Sequence, residues 1–434
     1  MDSACPEQPD EPERKPGTGE ASRREVILHA ELELGALLLS AGAPGQRILD
    51  SVTFLNEKLN GGCLNIFLGF EALIITLGAG PRRHLSMREY PLPSAMNGRA
   101  MMVISRYLRA LPEGTDPERV IRDFKALDLK RPGPNVLTYA AIVVFTMIFG
   151  FFNHADAWAL AIIGIAALVA CLVRDKATGK GHRYFMAVLA ATLAGTISAA
   201  LLSQVIPTGT PLISLIIPCV FLIPGFQLIN GGWEILRSHL HIGIPRVTVF
   251  LTVIAIIAVG LLSVLLVYTP GVDGAGILVP AGWTFIIDTL LGALAALCFC
   301  VIMNAPKAAI PVCLICGGAS RLVRTVIVQI GGDVAFAVFC GTLALALVAL
   351  LICLRSEVPI VIPLVAASVQ FIPGYNITIC LQGMARIITL GQAVPYAIIG
   401  STIFNGMMAL FIAVAIIFGT MFPLLILSKD RRWY

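Results

Sequence analysis

From Asn135 onward the chain is a succession of apolar segments, and no other feature constrains its fold as much. Ten segments qualify as spans: 136–153, 157–173, 184–206, 211–239 (interrupted), 246–268, 283–303, 308–328, 334–354, 358–388 (interrupted) and 394–427. Most reach the ~20 residues that a helix needs to cross hydrocarbon. Composition agrees. The 434 residues are 57% hydrophobic and 13% charged, with a mean hydropathy of +0.86, whereas soluble domains carry about 25% charged residues. Of the 57 charged residues, 35 precede Asn135. A water-soluble N-terminal part followed by a mainly α-helical, polytopic membrane body is the expectation.

Residues 1–25 are proline-rich, of mixed charge and without an apolar run, which predicts a disordered tail and no secretory signal. Residues 26–134 read as a small cytosolic α+β domain. Val26 to Leu59 carries two helical stripes separated by Ala41-Gly42-Ala43-Pro44-Gly45. Strands are expected over Leu64 to Leu77 and His84 to Tyr90. An amphipathic helix follows over Ser94 to Leu111 with Ser94 as its cap. A further helix opens at Asp116-Pro117, with proline at its first position.

Lys and Arg alternate between loops. Lys125, Lys130 and Arg131 precede the first span, Arg174, Lys176, Lys180 and Arg183 follow the second, and Arg237 and Arg246 flank the fourth connection. The intervening loops 153–157, 207–211 and 269–282 carry none. By the positive-inside rule both termini are expected in the cytoplasm, and a multi-pass protein of the plasma (inner) membrane is the expectation. The net charge of +5 comes without a basic run or a nucleic-acid-reading motif, so no nucleic-acid partner is expected. The expected partners are the lipid bilayer, a small-molecule substrate and, as an open possibility, a second copy of the chain.

Phe221-Leu-Ile-Pro-Gly-Phe-Gln227 and Gln370-Phe-Ile-Pro-Gly-Tyr-Asn376 resemble each other at an offset of 149 residues, and Arg237 and Arg386 stand at the same offset. Five spans separate them, an odd number, so the two segments cross in opposite senses. This predicts a 5+5 inverted repeat, residues 135–269 and 270–434, of the kind that places carrier sites at the midplane. Proline removes a helix hydrogen bond and glycine relaxes the backbone, so spans four and nine are expected to break. Their freed groups must then face protein or a water-filled cavity. Pro224, Gly225, Gln227, Asn230, Pro373, Gly374 and Asn376 are the substrate-binding candidates that follow.

Ionisable residues inside spans cost roughly 2.5–3.5 kcal/mol and call for a reason. Arg321 and Arg324 lie three residues apart, break the charge alternation, and have the geometry to clamp a carboxylate; snorkelling is the alternative. Asp288 is a candidate proton-coupling group or an interfacial carboxylate. Glu234 and Arg237 are spaced to pair, and Arg386 repeats Arg237. Asp333 caps span eight. Cys313-Leu-Ile-Cys316 lies in an apolar segment, where cysteine packs as a small hydrophobe. No serine elbow, Walker loop or metal motif is present, so no catalytic residue, cofactor or metal is expected.

At these residues the chain resembles the threonine/serine exporter family. The likeness runs through Leu34–Ala43, Met96-Asn97-Gly-Arg99 with Arg106 and Arg109, Phe149–Asp156, Ile217–Asn230, His241–Arg246, Ile302–Lys307 and Phe371–Tyr375, covering about residues 26 to 427. It departs at Asn153-His154, where glycine is expected before the acidic residue. The resemblance implies a secondary active transporter that exports small hydroxy-amino acids by proton antiport. Dicarboxylate export is the alternative within the class, and a passive channel or a membrane-anchored enzyme are the alternatives outside it.

Overall fold

The computed structural model describes residues 18–427 apart from 79–83, 90–94, 131–132, 134, 180–182, 269, 271–272 and 275. The chain divides into two compact units: one runs to Arg131 and includes Glu234–Pro245, and the other holds Pro132–Trp233 and the chain from Arg246.

The first unit contains helices α1 (Thr18–Ser40), α2 (Gly45–Leu59), α3 (Gly98–Ala110) and α4 (Pro117–Ala126). Its strands are β1 (Leu64–Leu68), β2 (Ala72–Leu77) and β3 (His84–Glu89). The sheet is antiparallel in the order β1-β2-β3, with Leu64 opposite Leu77 and Ala72 opposite Glu89. Alternation along β2 puts Leu73, Ile75 and Leu77 on one fully buried face. Helix α1 packs on that face at Gly35, where a Cβ would lie 2.1 Å from Leu73 Cδ2.

Two boundaries differ from the sequence reading. Helix α1 starts at Thr18, inside the stretch expected to be a disordered tail, because no proline follows Pro16 there to stop it. Ser94 lies outside the described residues, and the cap of α3 is Asn97, whose side chain accepts the Ala100 N–H at 3.3 Å. Asp116 caps α4 through the Glu118 N–H, with Pro117 at the first position.

The regular elements of the second unit are all helices, though the end of α9 and the start of α10 fall in the first unit: α5 (Val136–Phe152), α6 (Ala157–Gly179), α7 (Tyr184–Val205), α8 (Pro211–Ile216), α9 (Gly225–Leu236), α10 (Leu240–Leu265), α11 (Ala281–Ile302), α12 (Ile310–Gln329), α13 (Val334–Cys353), α14 (Val361–Ser368), α15 (Gly374–Leu390) and α16 (Tyr396–Leu427). Among the described residues seven helices are long and apolar enough to cross a membrane, or nine spans if each of two bent pairs counts as one; α5 is apolar but shorter. Leu201, Leu251, Leu290, Leu351 and Leu410 are each more than half exposed, an apolar exterior that suits lipid. Helix α10 starts at Leu240, ahead of the expected span, with Pro245 inside it.

The helices α5 to α10 and α11 to α16 follow the same order. Helices α7, α8 and α9 begin 150, 150 and 149 residues before α13, α14 and α15. Both opening helices end in a left-handed residue, His154 (φ 62°) and Asn304 (φ 50°). The glycine expected at the first of these turns has a physical rationale, since glycine enters that region without a Cβ clash.

Candidate functional site

Proline without an N–H and an extended residue before it break the helix twice, in the same way. Ile223 (ψ 118°) and Ile372 (ψ 126°) leave the helical region. The pair Pro211–Leu222 and Gly225–Leu236 bends by 60°, and Val361–Phe371 and Gly374–Ala393 by 44°. The local bonds correspond one for one. Gly225 donates to Ile223 O and Gly374 to Ile372 O, each at 2.8 Å, while Ile223 and Ile372 donate to Val220 O and Val369 O, each at 3.1 Å.

The two breaks also lie against each other. A Cβ on Gly225 would stand 2.0 Å from Ile372 Cδ1, and one on Gly374 would stand 3.1 Å from Ile223 Cδ1. Each glycine thus receives the isoleucine of the other break, which is the self-complementary pattern of a two-fold contact. Packing continues the theme. Leu228, Phe250 and Ile254 pack with Ile377, Leu381, Ala413 and Ile417, and Tyr375 and Ile379 pack on the cluster around Leu215 and Leu261.

The amides take different positions. Gln227 and Asn230 are buried on α9, whereas Asn376 is half-buried and its Nδ2 donates to Asn405 Oδ1 of α16 at 3.0 Å. Pro224, Pro373, Gly225 and Gly374 are all buried.

A charge cluster stands on α11 and α12. Thr325 Oγ1 donates to Asp288 Oδ2 at 2.6 Å, and Arg321 Nε lies 3.4 Å from the same oxygen. Arg321 is 4% exposed, so it does not snorkel, and its guanidinium carbon stands 3.4 Å over the Phe152 ring of α5. This burial explains why Arg321 breaks the loop charge pattern: its charge is neutralised locally. Arg324 is half-buried and attracted by the same carboxylate. Gln370, at the end of the first half of the second broken span, donates through Nε2 to Ala367 O (2.9 Å) and also reaches Gly317 O and Ser320 Oγ (each 3.3 Å).

The remaining candidates lie elsewhere. Glu234 belongs to the first unit: its Oε1 accepts the Gly45 N–H at the start of α2 at 2.6 Å, and its Oε2 is 3.7 Å from His239 Nδ1. Arg237 is half-buried and Arg386 is exposed. Cys313 and Cys316 are buried near the start of α12, and Asp333 caps α13 through Ala335 and Phe336.

Two loop carboxylates escaped the sequence reading. Asp156 takes the Ala159 N–H, the Thr208 hydroxyl and the Gly209 and Thr210 N–H groups. Burial pushes its carboxyl up, but these donors outweigh burial and hold it below its usual range. Asp273 accepts the Leu212 N–H at 2.8 Å at the start of α8. Burial raises its carboxyl, backbone N–H groups of Leu212 and Ile213 oppose this, and nearby Asp156 adds to the rise. Phe152, Thr325, Gln370 and Asn405 were likewise not selected, since neutral residues in an apolar run carry no charge or period to mark them.

Paired broken helices and a largely buried charge pair inside an apolar helical unit fit a multi-pass membrane transporter. The chain belongs to the threonine/serine exporter family, which it matches over residues 29–268, with a second match described as threonine/serine exporter, ThrE, over residues 288–426. Membership makes it a membrane transporter for amino acids. No curated protein and no solved structure matches the chain.

Proposed function

We propose that the protein is a secondary active transporter of the plasma membrane that exports threonine, serine and similar small amino acids in exchange for protons. The observation that carries this reading is the pair of buried Arg321 and half-buried Asp288, with Thr325 on the carboxylate. An intramembrane ion pair is expensive and serves function by default. An amino-acid zwitterion supplies a carboxylate for Arg321 and an ammonium for Asp288. Ammonium and proton then compete for the same Asp288 oxygens, so the site carries one or the other. That competition is the definition of exchange.

The two reciprocal breaks support an inverted repeat of five spans and five, with alternating access as a rocking of one half against the other. Gln227 and Asn230 on α9 and Asn376 on α15 line the approach to substrate polar groups in this reading. A second reading, dicarboxylate export, is favoured by Arg324. Two guanidiniums would hold two carboxylates, and Asp288 would then need its proton, giving the opposite pH dependence.

Inverted vesicles with an imposed pH gradient test the proposal. Labelled threonine and serine uptake should saturate and follow the gradient, and Asp288→Asn should lose that coupling while the protein still inserts. Flux indifferent to the gradient, or conductance without saturation, would indicate a channel. Succinate uptake in place of amino-acid uptake would favour the second reading.

A further inference from the structure

We infer that Gln370 reads the substrate's side-chain hydroxyl and so sets the preference for hydroxy-amino acids. This rests on the proposed zwitterion site at Asp288 and Arg321. Gln370 is 4% exposed, and its Oε1 is buried with no hydrogen-bond partner among the described residues. Its other end is fully engaged. Nε2 points at the carbonyl oxygens of Ala367 and Gly317 and at Ser320 Oγ. Turning the amide over would set Oε1 against two carbonyl oxygens, acceptor against acceptor, so the orientation is fixed by chemistry.

The orphan oxygen faces Gly292, as does the base of the Arg321 side chain. Gly292 has only hydrogen where a Cβ would lie 2.5 Å from Arg321 Cβ and 3.0 Å from Gln370 Oε1, so both side chains cross the same glycine. Asp288 is four residues earlier on α11, about 6 Å along the axis and on the same face. Three groups of different demand therefore meet within one helical turn: an anion, a cation and a neutral acceptor lacking a donor.

A small hydroxy-amino acid has the complementary set. Its ammonium suits Asp288 and its carboxylate suits Arg321. Its hydroxyl is the donor that the deoxy analogue lacks, and Gln370 Oε1 is a buried acceptor with no donor among the described residues. A buried acceptor left without a donor is costly, so a substrate that supplies one is favoured over its deoxy analogue. Ser320 adds nothing to this contact, because its hydroxyl already donates to Gly317 O at 3.0 Å.

The test is competition and flux in inverted vesicles, comparing threonine with 2-aminobutyrate and serine with alanine. Wild-type protein should prefer each hydroxy-amino acid by about tenfold or more. Gln370→Leu and the nearly isosteric Gln370→Met should bring that ratio close to one while 2-aminobutyrate flux persists. Retention of the wild-type ratio in either variant that still transports overturns the inference. So does loss of flux for all four substrates in both variants, since the glutamine would then only hold the helix break together. A wild-type protein that moves neither threonine nor serine fails at an earlier point: it overturns the functional reading, and this inference with it.

Discussion

Glu31 lies on the buried side of α1, fully excluded from solvent, and neither of its carboxylate oxygens has a hydrogen-bond partner among the described residues. Desolvation alone pushes its carboxyl up from 4.5 to about 8. Below pH 4.5 the group is neutral in both folded and unfolded chains, and the domain keeps its full stability. Between 4.5 and about 8 only the unfolded chain ionises, so stability falls by about 1.4 kcal/mol per pH unit. Above that the loss is complete. Glu31→Gln removes the titration, and its domain should hold the same stability across this range. Hydrogen exchange of α1 amides in the full-length protein, corrected for intrinsic exchange chemistry, measures this directly. Equal pH slopes in wild type and variant would show that Glu31 has a partner in solution. Arg321 shows the contrasting solution to burial, an opposite charge and an aromatic face supplied within contact distance.

The helix breaks are the elements on which transport should depend most. In Gly225→Leu the new side chain enters the space held by Ile372 Cδ1, and Gly374→Leu presses on Ile223. Overpacking of this kind costs about 1–3 kcal/mol, enough to lock a moving contact without preventing insertion. Both variants should lose flux at normal membrane expression. Ile372→Ala should partly restore Gly225→Leu, because it clears the atom that the leucine meets. Full transport by both single variants would reduce the breaks to passive kinks. These breaks were legible because proline and glycine act on their own backbone, so Pro224-Gly225 and Pro373-Gly374 announce themselves without tertiary knowledge. The Asp288–Arg321 pair was half legible. Each charge stood out against its apolar run, but the pairing joins two helices and no local spacing encodes it. Gln370 and Phe152 were silent, since their roles come from neighbours on other helices. At α3 the sequence offered Ser94 as a cap, yet the helix starts later, where Asn97 meets the Leu129 carbonyl as well as its own first turn.

At the scale of the molecule, the loops carry the information on which ends of the helices face the cytoplasm. Loops 153–157, 207–211 and 269–282 lack Lys and Arg, and the structure ties members of all three together. Gly274 donates to Gly209 O at 2.6 Å, Ile277 to Ala155 O at 3.4 Å, and Asp156 gathers Thr208, Gly209 and Thr210. Three bare loops joined by hydrogen bonds must lie on one side of a bilayer, whichever side that is. The basic segments, with Lys176 exposed in the last turn of α6, then belong to the other. The positive-inside rule makes the bare side external. Leu278 is 86% exposed, so Leu278→Cys, in a background lacking the native cysteines, should react with an impermeant maleimide in intact cells. Lys176→Cys should react only after permeabilisation. The reverse pattern would invert the protein in the membrane and overturn the assignment of both termini to the cytoplasm.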